Sequence, residues 1–500
     1  MRLMVAALAA LAVAGDSAGA AEAPVLGYLE ITYGEGEKPF VASRFTLPPE
    51  LPRYPGGFPN TGLAYNPLDD SLICSHYRSE HKEESIEFLS KEGERLRPAL
   101  PVGAFAASLQ GLAFDPFART LWVWGTLEGK PSQVWRLDPE GKIPPTTFVF
   151  PRVPGMLSYD IRSDTLWAKA YTGENSLYQL DGRTGELLTE YPIDASMPGA
   201  EGVAHDPFDN TFWLLSKASL FHARVADGTV ERITTYPNPT ANDPADVEQV
   251  TIRGSDFVFT PDPSGAGGRI TREKRDFQKL TAFGQLKVTV SGSARNDGLY
   301  EGVELKSDSI IVKSALREEA AGAEVTISRA IRGEDEGVAV DLTDRTVWLN
   351  SDQYAHGGVT NGNRCWRVDP YGNLGSKFHL LFPSPRESGK IVGAEVTRQG
   401  LVPVAPDKPA EYLSPVIDLR GRHRASALPV FSGPADVVVR YRGSHSAPTT
   451  RPVPLAAVGL YPAAGEREGW GRTKPPAWRD TPLAARFVQV SVRWKSRGRN

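Results

Sequence analysis

The sequence predicts an all-β chain, a seven-bladed β-propeller followed by a small C-terminal β-sandwich, and three observations carry that expectation. A block of the form EGVAHDPFDNTFW, Glu201 to Trp213, recurs along the chain. Each copy alternates apolar and small residues up to a turn and then restarts as a second apolar strand, which is the pattern of a β-hairpin. Glycine and proline are abundant, 48 and 41 residues out of 500, as many short strands joined by turns require.

The first residues combine an early arginine, a run of small apolar residues and Ala18-Gly19-Ala20 as a small-x-small cleavage site. Residues 1–20 therefore read as a secretory signal and the mature chain as exported, periplasmic or extracellular. The apolar run is shorter than the roughly 20 residues of a spanning helix, and no other stretch is long and apolar enough to span a membrane. Residues 21–390 form the expected propeller and residues 391–500 the sandwich.

Two candidate strands, VLGYLEITY and FVASRFTLP, precede the repeats. Five full copies start at Thr61, Gln110, Gly155, Glu201 and Glu336, and two shorter ones at Glu248 and Glu301. Trp122, Trp167, Trp213 and Trp348 occupy one equivalent position, with Ile73 in the first copy. Third strands such as VWRLDPEGK, LYQLDGRTGE and CWRVDPYGN and more exposed fourth segments follow several hairpins, giving the four strands of a propeller blade. Seven blades are counted, with six or eight open because the two short copies are irregularly spaced. A ring must close, since an open one exposes strand edges; FHLLF (Phe378 to Phe382) and an N-terminal strand are the two candidates. Beyond Ile391 the repeat is lost, and SPVIDL, DVVVRYR and RFVQVSVRW read as sandwich strands.

The two cysteines, Cys74 and Cys365, fall on the first and last blades, which a closed ring makes neighbours. A disulfide clasping the ring is expected from that placement, with two buried free thiols as the alternative.

Candidate chemistry sits at the first position of each hairpin. In order this set is Thr61, Gln110, Gly155, Glu201, Glu248, Glu301 and Glu336. Starts of innermost strands converge near one mouth of the channel, so four consecutive blades would direct carboxylates into one space. Such a cluster needs neutralising. A divalent cation (calcium, magnesium or manganese) held by Glu201, Glu248, Glu301 and Glu336 is one solution; a hydrated polar lining is the other. Loops between second and third strands reach the same mouth and hold His76 in the first blade and Asp352, Tyr354 and His356 in the last. Thr61, Gln110, His76, Asp352 and Tyr354 are candidate ligand contacts, and Glu336 and His356 candidate acid-base groups. His205, on an inner strand, reads as structural. No nucleophile elbow, zinc-binding HExxH, phosphate-binding glycine loop or EF-hand is present, and no organic cofactor is indicated.

Net charge is −4, unevenly spread: residues 401–500 hold 16 Lys/Arg against 7 Asp/Glu, leaving 40 against 53 in the first 400. The basic residues are scattered among prolines and alanines rather than striped with aromatics, which argues against nucleic acid.

The block EGVAHDPFDNTFWLLSKASLFHARVADG resembles the repeat of the gluconolactonase and senescence-marker-protein propellers, and of phytase-like and other calcium-dependent propellers. In the lactonase family a glutamate of this motif binds the catalytic divalent metal with Asn and Asp partners. Glu201 and Glu336 match that glutamate, but further Glu residues stand at the partner positions, so the resemblance does not carry over the metal triad. The expectation is an exported protein that binds an extracellular carbohydrate or small polar ligand at an acidic channel mouth. A metal-dependent or Glu-based hydrolase or lyase acting on a lactone, phosphoester or glycan is the second reading, and an interaction scaffold without a small-molecule site the third.

Overall fold

A computed structural model describes residues 23–496 apart from internal stretches, the longest being 47–59, 353–363, 445–452 and 455–476. The proposed signal segment lies outside the described residues.

The all-β propeller expected from the repeat is present, and its ring is made of five four-stranded antiparallel sheets. Their innermost strands are Asn60–Asn66, Ala107–Asp115, Met156–Asp160, Gly202–Asp206 and Glu334–Val340, the five full copies of the repeat, which define blades 1 to 5. Each inner strand packs against the next, and that of blade 5 packs against that of blade 1, so the ring is closed. Closure uses the N-terminal candidate. Val41–Thr46 pairs with Arg364–Val368 as the outermost strand of blade 5, and the FHLLF segment belongs elsewhere.

The repeated residues explain this geometry. Asn66, Asp115, Asp160, Asp206 and Asp341 end the inner strands, and each side-chain oxygen accepts a backbone N–H two residues on, at 2.8–3.0 Å. This local bond fixes the turn and accounts for Asp or Asn in every full copy. The turn then needs one left-handed residue: Asp70, Arg119, Asp164, Asn210 and Arg345 all have φ between 56° and 63°. A left-handed conformation costs an L-residue ~1–2 kcal/mol and glycine none, against glycine's own entropy cost of ~0.5–1. The exposed Arg119→Gly is therefore expected to raise stability by about 0.5–1 kcal/mol, read from the denaturant midpoint; a lower midpoint would contradict that account of the turn.

Glycine at the second repeat position serves close approach. A Cβ at Gly62 would collide with the Gln110 carbonyl, at Gly111 with that of Gly155, and at Gly337 with that of Thr61. In blades 1, 2 and 5 the inner strand thus lies against the first-position residue of the following blade. The tryptophans fill the spaces between blades: Trp122, Trp213 and Trp348 are at most 1% exposed, and Trp167 meets Phe212 of the next blade edge-on at 4.7 Å.

The two short copies lie outside the ring. Residues Val247 to Arg332 form a separate seven-stranded, barrel-like sheet inserted between blades 4 and 5, with its own core around Phe257, Phe259, Ile270 and Ile327. Glu248 pairs with Ile331 in a two-stranded base, and Glu301 lies on Gly298–Leu305. Neither copy has the Asp or Asn turn that all five ring copies share, and the propeller holds five blades plus this module.

The C-terminal strands form a ten-stranded sheet that also takes in Val25–Thr32 and Lys377–Leu381 from either side of the propeller. Its boundary is therefore discontinuous in sequence. The sheet covers part of the turn side of the ring. Tyr28 packs edge-on against Phe208 of blade 4 at 5.2 Å, and Arg398 reaches Asp164 of blade 3 at 2.8 Å. Arg162 of blade 3 donates to the carbonyls of Pro207 at 2.6 Å and Gln399 at 2.7 Å, joining two blades to the sheet.

Cys74 and Cys365 are fully buried in one cluster with Leu63, Ala339 and Trp348, at the seam of blades 1 and 5. The expected neighbourhood is present, but the expected disulfide is not formed and both thiols are free. Burial pushes both thiols up, which disfavours the thiolate that disulfide formation requires.

Candidate functional site

Inner strands run from the first repeat position towards the turn, so the starts of all five surround one mouth of the channel, opposite the C-terminal sheet. Second strands return to that mouth. Two residues beyond the Trp/Ile position they present Ser75, Trp124, Lys169, Leu215 and Asn350.

Thr61 is buried and its hydroxyl donates to the Leu109 carbonyl at 2.9 Å. Ser75 accepts the Gly62 N–H at 2.8 Å and donates to the Gln110 carbonyl at 3.1 Å. Both hydroxyls thereby tie blade 1 to blade 2, and Thr61 belongs to the seam as much as to the mouth. On blade 5, Asn350 is fully buried, and its side-chain oxygen accepts the Gly337 N–H at 2.7 Å. The Asn350 Nδ2 and the Gln110 Oε1 are buried and have no hydrogen-bond partner among the described residues.

Lys169, 4% exposed, donates from Nζ to its neighbour Ala170's carbonyl at 2.8 Å. Burial holds its amine below the usual lysine range, against the opposing pull of Glu201 on the next blade. Glu201 itself is anchored by its N–H, which donates to the Leu215 carbonyl at 2.7 Å. The mouth therefore combines a carboxylate, a partly desolvated amine, two amides and two hydroxyls.

Of the four glutamates expected to converge, Glu201 and Glu336 stand on adjacent blades of the ring. Glu248 and Glu301 lie in the inserted module, and the Glu301 carboxylate pairs there with Lys313. The two shorter copies are not blades, so Glu248 and Glu301 do not begin inner strands of the ring. Glu336, His76 and Asp352 hold strand positions in blades 5, 1 and 5, with Asn60 opposite His76 and Glu334 opposite Asp352. The side chains of Glu248, Glu336, His76 and Asp352, and all of Tyr354 and His356, lie outside the described residues. His205 is buried, bonded to Asn210 at 2.9 Å and packed against Phe212, in keeping with a structural role.

Sequence reasoning passed over Lys169, Ser75 and Asn350. A signal existed for Lys169: TLWAK is a fully buried strand whose apolar run, Leu166 to Ala168, ends in a cation.

No protein-family model matches the chain, and no curated protein matches it in sequence. Among solved structures it is similar to glutaminyl cyclase of Myxococcus xanthus, at 11% identity over 66% of this chain and 94% of that one, with a TM-score of 0.34. It is similar to TolB from Acinetobacter baumannii, at 11% identity over 57% and 66%, TM-score 0.29, and to hydrazine synthase of Kuenenia stuttgartiensis, at 15% over 60% and 77%, TM-score 0.28. These neighbours are β-propeller proteins. Likeness of this degree says nothing about activity.

Proposed function

We propose that the first-position mouth binds a small polar ligand that both donates and accepts hydrogen bonds, a carbohydrate or a molecule of similar polarity, met outside the cytoplasm. The observation that carries this reading is the pair of buried polar atoms, Asn350 Nδ2 and Gln110 Oε1, without partners among the described residues at one mouth. A buried polar atom left unsatisfied costs ~1–3 kcal/mol, which a ligand hydroxyl would recover. Lys169 and Glu201 add a donor and an acceptor on adjacent blades, so a ligand bearing both kinds of group is preferred over a simple anion or cation.

A hydrolase acting through a divalent ion is supported by the likeness of the EG block to the gluconolactonase repeat. The described donors fit such an ion poorly. Glu201 is countered by the Lys169 ammonium, and among the described residues no group of three His, Cys, Asp or Glu is placed to hold a metal ion. A catalytic role for Glu336 and His356 remains part of that second reading.

Calorimetric titration with a panel of monosaccharides, polyols and sugar lactones tests the proposal. At least one is expected to bind with one equivalent. Gln110→Met is expected to weaken that ligand about tenfold, the value of one hydrogen bond, while leaving thermal stability intact or slightly raised. Absence of binding across the panel, or unchanged affinity in the folded variant, would overturn the assignment.

A further inference from the structure

Of the residues that the second strands bring to the first-position mouth, all but one are explained by the ring. Ser75 and Asn350 accept the N–H of the glycine opposite them, at 2.8 and 2.7 Å, and Trp124 and Leu215 are fully buried packing residues. Lys169 is the exception. It stands opposite Met156, and an ammonium only donates, so it cannot accept a backbone N–H as Ser75 and Asn350 do. Leu215 shows that an apolar side chain serves the ring at this place, whereas burying an ammonium is costly unless it is paired and hydrogen-bonded.

Among the described residues Lys169 is the only buried lysine, and the Ala170 carbonyl, at 2.8 Å, is the one acceptor its Nζ meets. An ammonium carries three N–H groups, so this packing suits it poorly. A neutral amine needs fewer acceptors and has a lone pair to offer. Burial favours that form by holding the amine below the usual lysine range, against the opposing pull of Glu201 on the next blade. A nucleophile and a proton carrier thus occupy adjacent blades, at the end of the ring where Gln110 Oε1 and Asn350 Nδ2 have no partner among the described residues. Lys91 is the contrast. Burial would lower its amine, but Asp341 and Asp70, both in contact with it, raise it and keep its nitrogen protonated.

We propose that Lys169 holds a small hydroxyaldehyde or hydroxyketone at the mouth as an imine. This rests on the mouth being a polar ligand site and adds a covalent bond to it. The Nζ lone pair adds to the carbonyl carbon while the C=O π pair moves to oxygen. Both nitrogen protons then pass to that oxygen, carried by the Glu201 carboxylate, and it leaves as water as the C=N bond forms. No electrons are gained or lost, and hydrolysis returns the amine and the carbonyl compound. Gln110 accepts from, and Asn350 donates to, the hydroxyls beside the carbonyl.

The test uses the full mature chain with glyceraldehyde and dihydroxyacetone as probes. Sodium cyanoborohydride reduces any imine to a stable amine, and peptide mass spectrometry locates the modified lysines. Lys169 is expected to take the first equivalent, with a pH midpoint for trapping below that of surface lysines, which titrate near ~10.4. Lys169→Met, expected to fold because Leu215 fills the equivalent place, should leave only slow, scattered labelling. Glu201→Gln should slow trapping about a hundredfold and move the midpoint lower still, since the charge that raises the amine is gone. Adducts on surface lysines with Lys169 unmodified, or Lys169 labelled at the rate and midpoint of surface lysines, would overturn the proposal. The two readings fail separately. Calorimetric binding of polyols without a Lys169 adduct removes the imine and keeps the polar mouth, whereas a Lys169 adduct that Gln110→Met leaves unchanged does the reverse.

Discussion

Asp341→Ala is expected to destabilise the ring by about 3–5 kcal/mol, because it removes a fully buried carboxylate from between two mostly buried cations. Asp341 ends the inner strand of blade 5. Its carboxylate meets Lys91 Nζ of blade 1 at 2.7 Å and Arg367 of its own blade at 3.2 Å, and it accepts the Thr343 N–H at 2.9 Å. Burial alone would raise its pKa; Lys91 and Arg367 overcome that and hold it at about 2. Lys91 also contacts Asp70 and Arg367 contacts Asp344, so neither cation is left bare, and the lower half of the range is the more apt. Asp341→Asn keeps an acceptor for Thr343 and loses only the charge, so it should cost less than alanine. Urea unfolding followed by tryptophan fluorescence reports the ring, since Trp348 donates to Asp341 at 3.4 Å and lies in the same seam. A loss below 1 kcal/mol for the alanine variant would mean that the seam is held by packing and by the N-terminal strand rather than by this network.

How far the chain could be read in advance follows from what each residue answers to. EGVAHDPFDNTFW was legible as a blade because its turn bond and its left-handed residue are local requirements repeated five times, and its tryptophan recurs in four of the five copies. EGVELKSDSII shares the alternation, which any half-buried hairpin shows, but lacks the Asp turn and the tryptophan. In the module its Val303 is 63% exposed. Alternation alone was thus too weak a criterion for a blade, and the count of seven followed from it. The closing strand VASRFT was hard to choose because an outermost strand pairs through its backbone, which leaves little side-chain pattern.

The site was less legible than the fold, for a physical reason. Position within a repeat tells which residues start an inner strand, and so it found Thr61, Gln110 and Glu201. What those residues meet comes from the neighbouring blade: Thr61 meets the Leu109 carbonyl, and Glu201 faces Lys169. Such pairings need the ring order, which the insertion between Pro237 and Glu334 conceals in sequence. The same ring order places the inserted module beside the mouth. The outer strand of blade 4 ends on that side at Pro237 and the inner strand of blade 5 begins there at Glu334, so the module springs from the first-position end of the ring.

Acid should weaken the join between the N-terminal strand and the C-terminal sheet, and Glu30 should account for most of that loss. Glu30 lies on Val25–Thr32 and faces Lys377 at 3.0 Å and His379 at 3.4 Å on the paired strand. The hydrogen bond from His379, supported by Lys377 and opposed by burial, brings its pKa from 4.5 to about 2. A depressed carboxylate contributes stability that is fully present above its unfolded value, here 4.5, and is lost as pH falls through 2. At ~1.4 kcal/mol per unit the difference amounts to about 3 kcal/mol, nearer 2 once partial exposure is allowed for. Asp70 acts with the opposite sign. Burial, against the pull of Lys91, raises it from 3.8 to about 6, so its contribution is present below 3.8 and lost as pH rises through 6. A single pH profile of the wild type therefore mixes the two groups. The difference between wild type and Glu30→Gln removes Asp70, which both proteins share. That gap in unfolding free energy is expected to be about 2–3 kcal/mol at pH 6, to narrow from pH 4.5 downward and to close near pH 2. A gap that stays constant down to pH 2 would show that the glutamate contributes through packing of the strand pair, with its charge irrelevant.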